Sequence, residues 1–320
     1  MDRVRIYEVS PRDGLQNEAV SLSTDVKVSL VERLVASGVT DIEVTSFVSP
    51  RAIPQLGDAA EVVRRLPVVD DVRYWALVPN PVGLERALEC GIGHVATFMS
   101  ASETHNLKNV NRTIRESLAG LKRVIATAAD QGLRIRSYVS TAWGCPYEGE
   151  VSPMKVIELA LALRDAGAHE IALGDTTGMG APDTVERLVE AAVSAGLPIE
   201  SLACHFHDTR GTALANALAA WRAGVRTFDG SVGGIGGCPY APGAAGNAAT
   251  EDLVHLFERL GGGGVNLPAG PLPVTGVDLD QLCDVLPFME SALGRSLPGR
   301  YAAYHQGQLA RRADRHARSG

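Results

Sequence analysis

Two histidines separated by one residue are the clearest chemical signal in this sequence. His205 and His207 stand in the segment His-Phe-His-Asp, at the end of the seventh of eight evenly spaced apolar runs. Side chains two apart on a β-strand point to the same face, so the two imidazoles are expected to project side by side. Paired imidazoles in this position favour a divalent metal ion over a structural hydrogen-bonding role. Asp208 should point to the opposite face of the strand and cap or orient a neighbouring group rather than bind the ion.

Two oxygen donors complete a candidate metal site. Asp13 follows the first apolar run, and Asn247 precedes the last predicted helix of the repeat. Taken alone, Asp13 is also a normal turn residue and Asn247 a normal helix N-cap. In a closed barrel, however, strands one, seven and eight are neighbours. Two nitrogen and two oxygen ligands, with room for water and substrate, fit octahedral Mg²⁺ or Mn²⁺ better than a tetrahedral zinc site.

Further charged groups lie inside or at the end of other apolar runs. Glu43 lies inside the second run, where a buried carboxylate needs a partner, and Arg12 is the expected one. Asp175 ends the sixth run, where it could hold a ligand histidine in one tautomer.

Cys238 lies in a glycine-rich segment, Gly-Gly-Ile-Gly-Gly-Cys-Pro-Tyr over residues 233–240. Such a segment could fold over a barrel mouth as a lid, because glycine adopts backbone angles closed to other residues. A cysteine presented near a cation would have a lowered pKa and could donate or accept a proton. The alternative is a buried, inert thiol, which is also how we interpret Cys204; Cys145 is interpreted as structural.

Eight strand–helix units can position these residues at one rim. The predicted strands are Val4–Ser10, Asp41–Phe47, Arg73–Pro79, His94–Ser100, Arg134–Ser140, Glu170–Thr176, Ser201–Asp208 and Thr227–Gly234. Helical spacing separates them, and many helices should end at a glycine: Gly38, Gly91, Gly132, Gly167, Gly196 and Gly224. The count and length predict a (β/α)₈ TIM barrel, in which chemistry occurs at the carboxyl ends of the strands. A dinucleotide-binding sheet would need a glycine fingerprint after strand one, where Pro-Arg-Asp-Gly stands instead.

The barrel is expected to occupy residues 1–262, with its eighth helix over Thr250–Leu260. Residues 263–320 should form a linker and a short C-terminal helical extension, with a final helical stretch over about Asp278–Leu293. The basic end, from Arg311 to Arg318, is expected to be a solvated, partly frayed tail.

Composition limits the class of protein. The chain has 320 residues and a formal net charge of −7, which argues mildly against nucleic acid and anionic membranes as partners. Five cysteines without a C-x-x-C pair resemble neither a disulfide framework nor a zinc ribbon. No apolar run is long enough for a membrane helix, and no targeting segment is recognised. These features predict a cytoplasmic protein.

In this order, the motifs resemble those of the 3-hydroxy-3-methylglutaryl-CoA lyase family. The matching segments span residues 8–18, 45–50, 144–149, 205–209 and 236–247. The resemblance covers the chain to about residue 300. The Gly-Cys-Pro-Tyr segment with its downstream Asn is specific to the lyases, whereas Arg-Asp-Gly and His-x-His are shared with Claisen-type synthases.

The resemblance implies an acyl-CoA substrate, cleaved by retro-Claisen chemistry to acetoacetate and acetyl-CoA, and a homodimer. It implies the following roles: metal ligands Asp13, His205, His207 and Asn247; enolate stabilisation by Arg12, oriented by Glu43; proton transfer by Cys238; and substrate contacts from Gln16, Ser46, Tyr138 and Asp175. The initial base stays open between Asp13, His205 and a hydroxide on the cation. Ala172 and Thr177 depart from the family pattern near the expected acyl pocket.

Three other functions remain as alternatives. A sibling lyase would act on another branched 3-hydroxyacyl-CoA. A Claisen-type synthase would form the carbon–carbon bond instead of breaking it, although such enzymes usually carry a large C-terminal regulatory domain. A non-catalytic barrel that binds acyl-CoA is the third, and the Asp/His/His/Asn set argues against it.

Overall fold

Eight parallel strands close into a barrel, as the sequence predicts. The computed structural model describes residues 2–237, 245–260 and 273–319. The strands are β1 (Arg5–Glu8), β2 (Asp41–Ser46), β3 (Arg73–Leu77), β4 (His94–Ser100), β5 (Arg134–Ser140), β6 (Glu170–Asp175), β7 (Leu202–Phe206) and β8 (Thr227–Gly230). Each strand pairs with the next, and β8 pairs with β1. The predicted TIM barrel is therefore confirmed.

Six strands end earlier than predicted: β2 and β6 by one residue, β1, β3 and β7 by two, and β8 by four. Strand β7 stops at Phe206 rather than Asp208, and β8 stops at Gly230 rather than Gly234. The chain beyond them pairs instead with residues 245–249, through a bridge between His207 and Asn247 and a bond from the Asp208 amide to the Gly246 carbonyl (2.7 Å). These non-barrel pairings at the rim end the two strands.

Helices alternate with the strands and cover the barrel. They are α1 (Thr24–Ala36), α2 (Ala59–Arg65), α3 (Pro81–Glu89), α4 (Glu103–Val110), α5 (Ile114–Asp130), α6 (Pro153–Asp165), α7 (Pro182–Ser194), α8 (Ala213–Arg222) and α9 (Thr250–Leu260). The six glycines predicted after helices all have positive φ, as a helix-ending glycine requires. Among the described helices, none is long and apolar enough to cross a bilayer.

Three helices follow residue 273: α10 (Leu279–Cys283), α11 (Val285–Leu293) and α12 (Arg300–Ser319). The helical stretch predicted over about Asp278–Leu293 is confirmed, as α10 and α11 joined at Asp284, whose backbone angles are helical. Helix α11 packs against α1, and α12 packs against α9.

The basic end, predicted to be a solvated and partly frayed tail, is instead helical to Ser319 as part of α12. The Asp252 carboxylate accepts hydrogen bonds from the first amides of this helix, at Arg300 (3.2 Å) and Tyr301 (2.7 Å). An acidic side chain that satisfies the free amides of a first turn stabilises the helix behind it. Residues 261–272 lie outside the described part, so the boundary at 262 stays a prediction.

Candidate active site

Strand β1 delivers two charged residues to the rim through one turn of π-helix, Ser10–Gly14. The amides of Asp13 and Gly14 both donate to the Val9 carbonyl, at 2.8 and 3.1 Å. The widened turn places Arg12 and Asp13 side by side, with Arg12 Nη1 2.6 Å from Asp13 Oδ1. Single π turns are frequent at functional sites, because they re-aim side chains without ending an element.

Asp13, His205 and His207 come together at this rim. One carboxylate oxygen of Asp13 and one ring nitrogen from each histidine lie within 4.8 Å of one another. The Nε2 atoms of the two histidines are 3.1 Å apart, as their spacing on the strand predicts. Among the side chains described, those of residues 3–237, 245–260 and 274–311, no other three of these types lie closely enough to hold a metal ion.

Asn247 joins this cluster, but it does not cap a helix, since α9 begins three residues later at Thr250. Its Nδ2 donates to Asp13 Oδ2 (3.0 Å) and to the Ile235 carbonyl (3.2 Å). Its Oδ1 is buried and has no hydrogen-bond partner in the described chain. A buried acceptor without a donor is costly, and a cation would satisfy it.

The close approach of Asn247 requires a glycine at position 236. Gly236 has φ +112°, and a Cβ there would lie 2.9 Å from Asn247 Nδ2. Any other residue would be strained and would push the amide away from Asp13. This one position gives a physical reason for part of the glycine-rich segment.

Protonation states in the cluster suit a metal. Burial acts to raise the pKa of Asp13, but the charge of Arg12 and the two histidines has the larger, opposite effect. The result is a pKa lowered to about 2. Burial, together with His205, lowers the pKa of His207 to about 3, against the opposing effect of Asp13. At neutral pH Asp13 is therefore an anion and His207 is uncharged, which are the forms that bind a metal.

Arg12 is held by Glu43, as predicted. Its Nε donates to Glu43 Oε1, and the other carboxylate oxygen accepts from the hydroxyls of Tyr7 (2.8 Å) and Tyr138 (2.9 Å). Burial and nearby carboxylates hold the pKa of both tyrosines well above the ordinary value, so they remain donors. Glu43 and Asp13 outweigh burial and raise the pKa of Arg12. The guanidinium is thus a fixed cation, and its Nη2 has no protein partner in the described chain.

A cavity of about 590 Å³ opens above the cluster. Of the predicted site residues, it is lined by Arg12, Asp13, Gln16, Tyr138, His205 and His207. Ser46 does not line it; the Ser46 hydroxyl lies at the end of β2 and donates to the Leu77 carbonyl (3.3 Å). The substrate contact predicted for Ser46 stays a prediction. Sequence reasoning missed Arg112 and Arg123, which line the cavity and are exposed.

The carboxylate that bonds to His205 in the structure is Asp229 rather than Asp175, and the substrate contact expected of Asp175 stays a prediction. Both Asp175 oxygens accept from backbone amides, of Met179 (2.8 Å) and Gly180 (2.9 Å), so they hold the loop after β6. Asp229 Oδ2 instead lies 3.1 Å from His205 Nδ1. The rule that identified Glu43, a carboxylate inside a barrel strand, applies equally to Asp229 and could have found it.

The structure describes every cysteine except Cys238. Because Cys238 lies outside the described residues, its proton transfer stays a prediction. Cys145 is buried beside the Ser102 hydroxyl (2.9 Å), and its sulfur accepts from the amides of Tyr147 and Glu148, which agrees with a structural role. Cys204 is fully buried in the barrel core, as predicted.

Comparison with known proteins identifies relatives over most of the chain. A family model described as HMGL-like matches residues 3–289. "Hydroxymethylglutaryl-CoA lyase YngG" of Bacillus subtilis is 47% identical over 93% of this chain and 96% of its own length. The mitochondrial hydroxymethylglutaryl-CoA lyase of Homo sapiens is 44% identical over 94% of this chain and 89% of its own length.

The solved structures that resemble this chain include HMG-CoA lyases. The HMG-CoA lyase of Acinetobacter baumannii, solved with coenzyme A and 3-methylmalate, has a TM-score of 0.87 at 40% identity. The alignment covers 94% of this chain and 95% of that one.

Proposed function

This chain belongs to the HMGL-like family, and from that premise we propose that it is a hydroxymethylglutaryl-CoA lyase. The enzyme cleaves 3-hydroxy-3-methylglutaryl-CoA to acetoacetate and acetyl-CoA. The proposal is carried by similarity to lyases of that name over more than nine tenths of this chain and of theirs. The arrangement of Arg12 beside the Asp13–His205–His207 cluster supports it.

The reaction breaks the bond between C2 and C3 of the acyl group. Loss of the proton from the tertiary hydroxyl turns that oxygen into the carbonyl of acetoacetate. The electron pair of the C2–C3 bond moves to the thioester, which leaves as an enolate. Protonation of the enolate carbon then gives acetyl-CoA. Catalysis therefore needs a group that takes one proton, a cation at the thioester oxygen, and a group that returns a proton.

The metal ligands in this proposal are Asp13, His205, His207 and Asn247. The unpaired Asn247 oxygen, the anionic Asp13 and the neutral His207 fit a divalent cation. Mixed oxygen and nitrogen donors suit Mg²⁺ or Mn²⁺, which we propose as the physiological ion. When bound, it supplies a Lewis acid for the substrate oxygens.

Arg12 meets the charge that develops on the thioester oxygen. Glu43 and Asp13 fix two of its nitrogens, which leaves Nη2 free at the cavity. A donor that is already oriented does not need to reorganise as the charge appears, and this is the main source of its catalytic effect. Glu43 thus acts through Arg12, and Tyr7 and Tyr138 hold Glu43.

The cavity gives the proposed acyl-CoA partner a place to bind. Gln16 and Tyr138 line its wall near the cluster, and Arg112 and Arg123 line it on the side of α5. We propose that these two arginines contact the phosphates of coenzyme A, since guanidinium groups bind phosphate through charge-assisted hydrogen bonds.

Arg123→Ala should raise KM for the CoA substrate about three- to tenfold, with kcat nearly unchanged, because it removes one exposed charge-assisted contact. Lys122→Ala is the matched control, since Lys122 is the adjacent exposed cation on α5 and does not line the cavity. A truncated pantetheine thioester, which lacks the nucleotide phosphates, should show no difference between the two variants. An equal KM for wild type and Arg123→Ala would contradict the phosphate contact.

Cys238 is the proposed donor of the proton to the enolate carbon. Cys238→Ser should therefore lower kcat far more than it raises KM, because a serine hydroxyl is a much weaker acid than a thiol. Steady-state kinetics measure both constants, and Cys283→Ser, at a buried thiol outside the cavity, is the control. A large rise in KM with kcat preserved would make Cys238 a packing residue.

The activity is tested with purified protein, 3-hydroxy-3-methylglutaryl-CoA and Mg²⁺, following acetoacetate. We expect cleavage, with kcat/KM higher than for a longer branched 3-hydroxyacyl-CoA. A reversed preference would indicate the sibling lyase. Condensation of acetyl-CoA with an oxo acid, without cleavage, would indicate the Claisen-type synthase.

We also propose a homodimer in the cytoplasm. The names of the relatives include both cytoplasmic and mitochondrial lyases, of which the rat protein is cytoplasmic. Light scattering coupled to size exclusion tests the first point, and a mass near that of one 33.7 kDa chain would contradict it. Cell fractionation tests the second.

A further inference from the structure

A buried carboxylate lies directly behind His205, on the neighbouring strand. Strands β7 and β8 pair with His205 opposite Asp229, and Asp229 Oδ2 lies 3.1 Å from His205 Nδ1. The Asp229 side chain is fully buried. A neutral imidazole carries one proton, so a carboxylate at Nδ1 places the proton there and leaves the lone pair on Nε2. The Nε2 atom is the one that faces His207 in the cluster.

Asp229 is itself held by Arg136, the largest fully buried side chain of the protein that is described. Arg136 Nη2 donates to Asp229 Oδ1, and Nη1 donates to Glu170 Oε1 at 2.7 Å. The guanidinium stacks on the Tyr7 ring, 3.8 Å from its centroid. With two carboxylates and an aromatic face around it, Arg136 has one orientation, and so does the Asp229 carboxylate.

Charge balance alone does not explain this arrangement. Glu170 pairs with both Arg136 and Arg5, Arg5 and Arg73 pair with Asp41, and Asp229 completes a neutral set of three cations and three anions. The Asp229 bond to His205 adds nothing to that neutrality. Buried ion pairs are also weak contributors to stability relative to apolar residues of the same size. The second oxygen of Asp229 therefore needs another explanation, and the histidine supplies it.

We propose that Asp229, fixed by Arg136, is a positioning residue that holds the ring and tautomer of His205 so that Nε2 is available to a divalent cation. The proposal rests on the proposed role of His205 as a metal ligand. Asp229 does not line the cavity. In this proposal it acts through His205.

Two isosteric variants separate positioning from structural support. In Asp229→Asn, the amide oxygen must accept from Arg136, so the NH₂ group faces His205 Nδ1 and forces the ring proton onto Nε2. Glu170→Gln removes the other carboxylate on Arg136 and leaves the Asp229–His205 bond in place. Both variants weaken the same buried ion cluster, but only the first reverses the histidine tautomer.

Mn²⁺ binding to the purified full chain, measured by calorimetry without substrate, is the first readout. We expect Asp229→Asn to bind Mn²⁺ about 10–100-fold more weakly than wild type, as for other partners of metal-binding histidines. Glu170→Gln should stay within about threefold. Equal losses in both variants, or no loss in Asp229→Asn, would overturn the proposal.

The second readout is made on the wild-type protein and needs no metal. Long-range ¹H–¹⁵N correlation on the metal-free wild-type protein, labelled at histidine nitrogens, reports which ring nitrogen is protonated; the His205 signal is assigned by its loss in His205→Gln. We expect a protonated Nδ1, and a protonated Nε2 instead would refute the positioning role. If wild type shows this tautomer but binds no Mn²⁺, then the proposed metal function fails and the Asp229 bond stands.

Discussion

Arg12→Gln should lower kcat about 10²–10³-fold, the cost of removing one oriented donor to a developing oxyanion. Gln is shorter and neutral, so it supplies no cation to the thioester enolate. The fold should survive, because Glu43 keeps the hydroxyl donors of Tyr7 and Tyr138, and Asp13 keeps the amide of Asn247. Steady-state kinetics give kcat, and circular dichroism checks the fold.

The control for this experiment is Arg73→Gln. Arg73 also pairs with a buried carboxylate, Asp41, but it lies at the start of β3, at the opposite end of the barrel from the cluster. It should leave kcat within about twofold. If Arg12→Gln retains more than a tenth of wild-type turnover, Arg12 does not stabilise the enolate.

The barrel could be predicted because its signals are local. Each strand is an apolar run, and glycine ends the helices before β2, β4, β5, β6, β7 and β8 at a fixed offset. The errors lie where tertiary contacts override local pattern. Strands β7 and β8 end early because residues 245–249 pair with the chain beyond them. Helix α12 begins where the Asp252 carboxylate, distant in sequence, meets the Arg300 and Tyr301 amides.

The site was predictable to the extent that strand position fixes side-chain direction. His205, His207 and Asp13 meet because each lies at the carboxyl end of β7 or β1. Which carboxylate would bond to His205 could not be derived from position alone. Asp175 and Asp229 both lie at the ends of strands next to β7, and the choice depended on local loop amides, which bind Asp175.

Asn247 shows a second limit to prediction from the sequence. Its residue type suggested an oxygen ligand, but a helix N-cap explained it equally well from the sequence. The distinction depends on the backbone of residues 245–249 and on Gly236, whose missing side chain leaves room for the amide. Neither feature follows from local propensity. The sequence therefore singled out Asn247 as a candidate, and only the fold identified its hydrogen-bond partner, Asp13.

Removal of divalent metal should abolish the activity, with a loss of about 100-fold or more, because a Lewis acid contributes several kcal/mol to this kind of charge stabilisation. Dialysis against EDTA followed by the acetoacetate assay measures the loss. Addition of Mg²⁺ or Mn²⁺ should restore it. Full activity in a preparation shown by elemental analysis to lack divalent metals would refute the ligand set.

Matched histidine variants connect that loss to the cluster. His207→Ala should bind Mn²⁺ weakly and stay inactive at the Mg²⁺ concentration that restores wild type, because one of the buried ligand atoms is gone. His94→Ala removes a histidine at the start of β4, where its ring packs on Trp75 far from the cavity, and should behave as wild type. Equal metal dependence in all three proteins would place the ion elsewhere. Loss in His207→Ala alone would place it among Asp13, His205 and His207, because a site made of other residues would not distinguish the two variants.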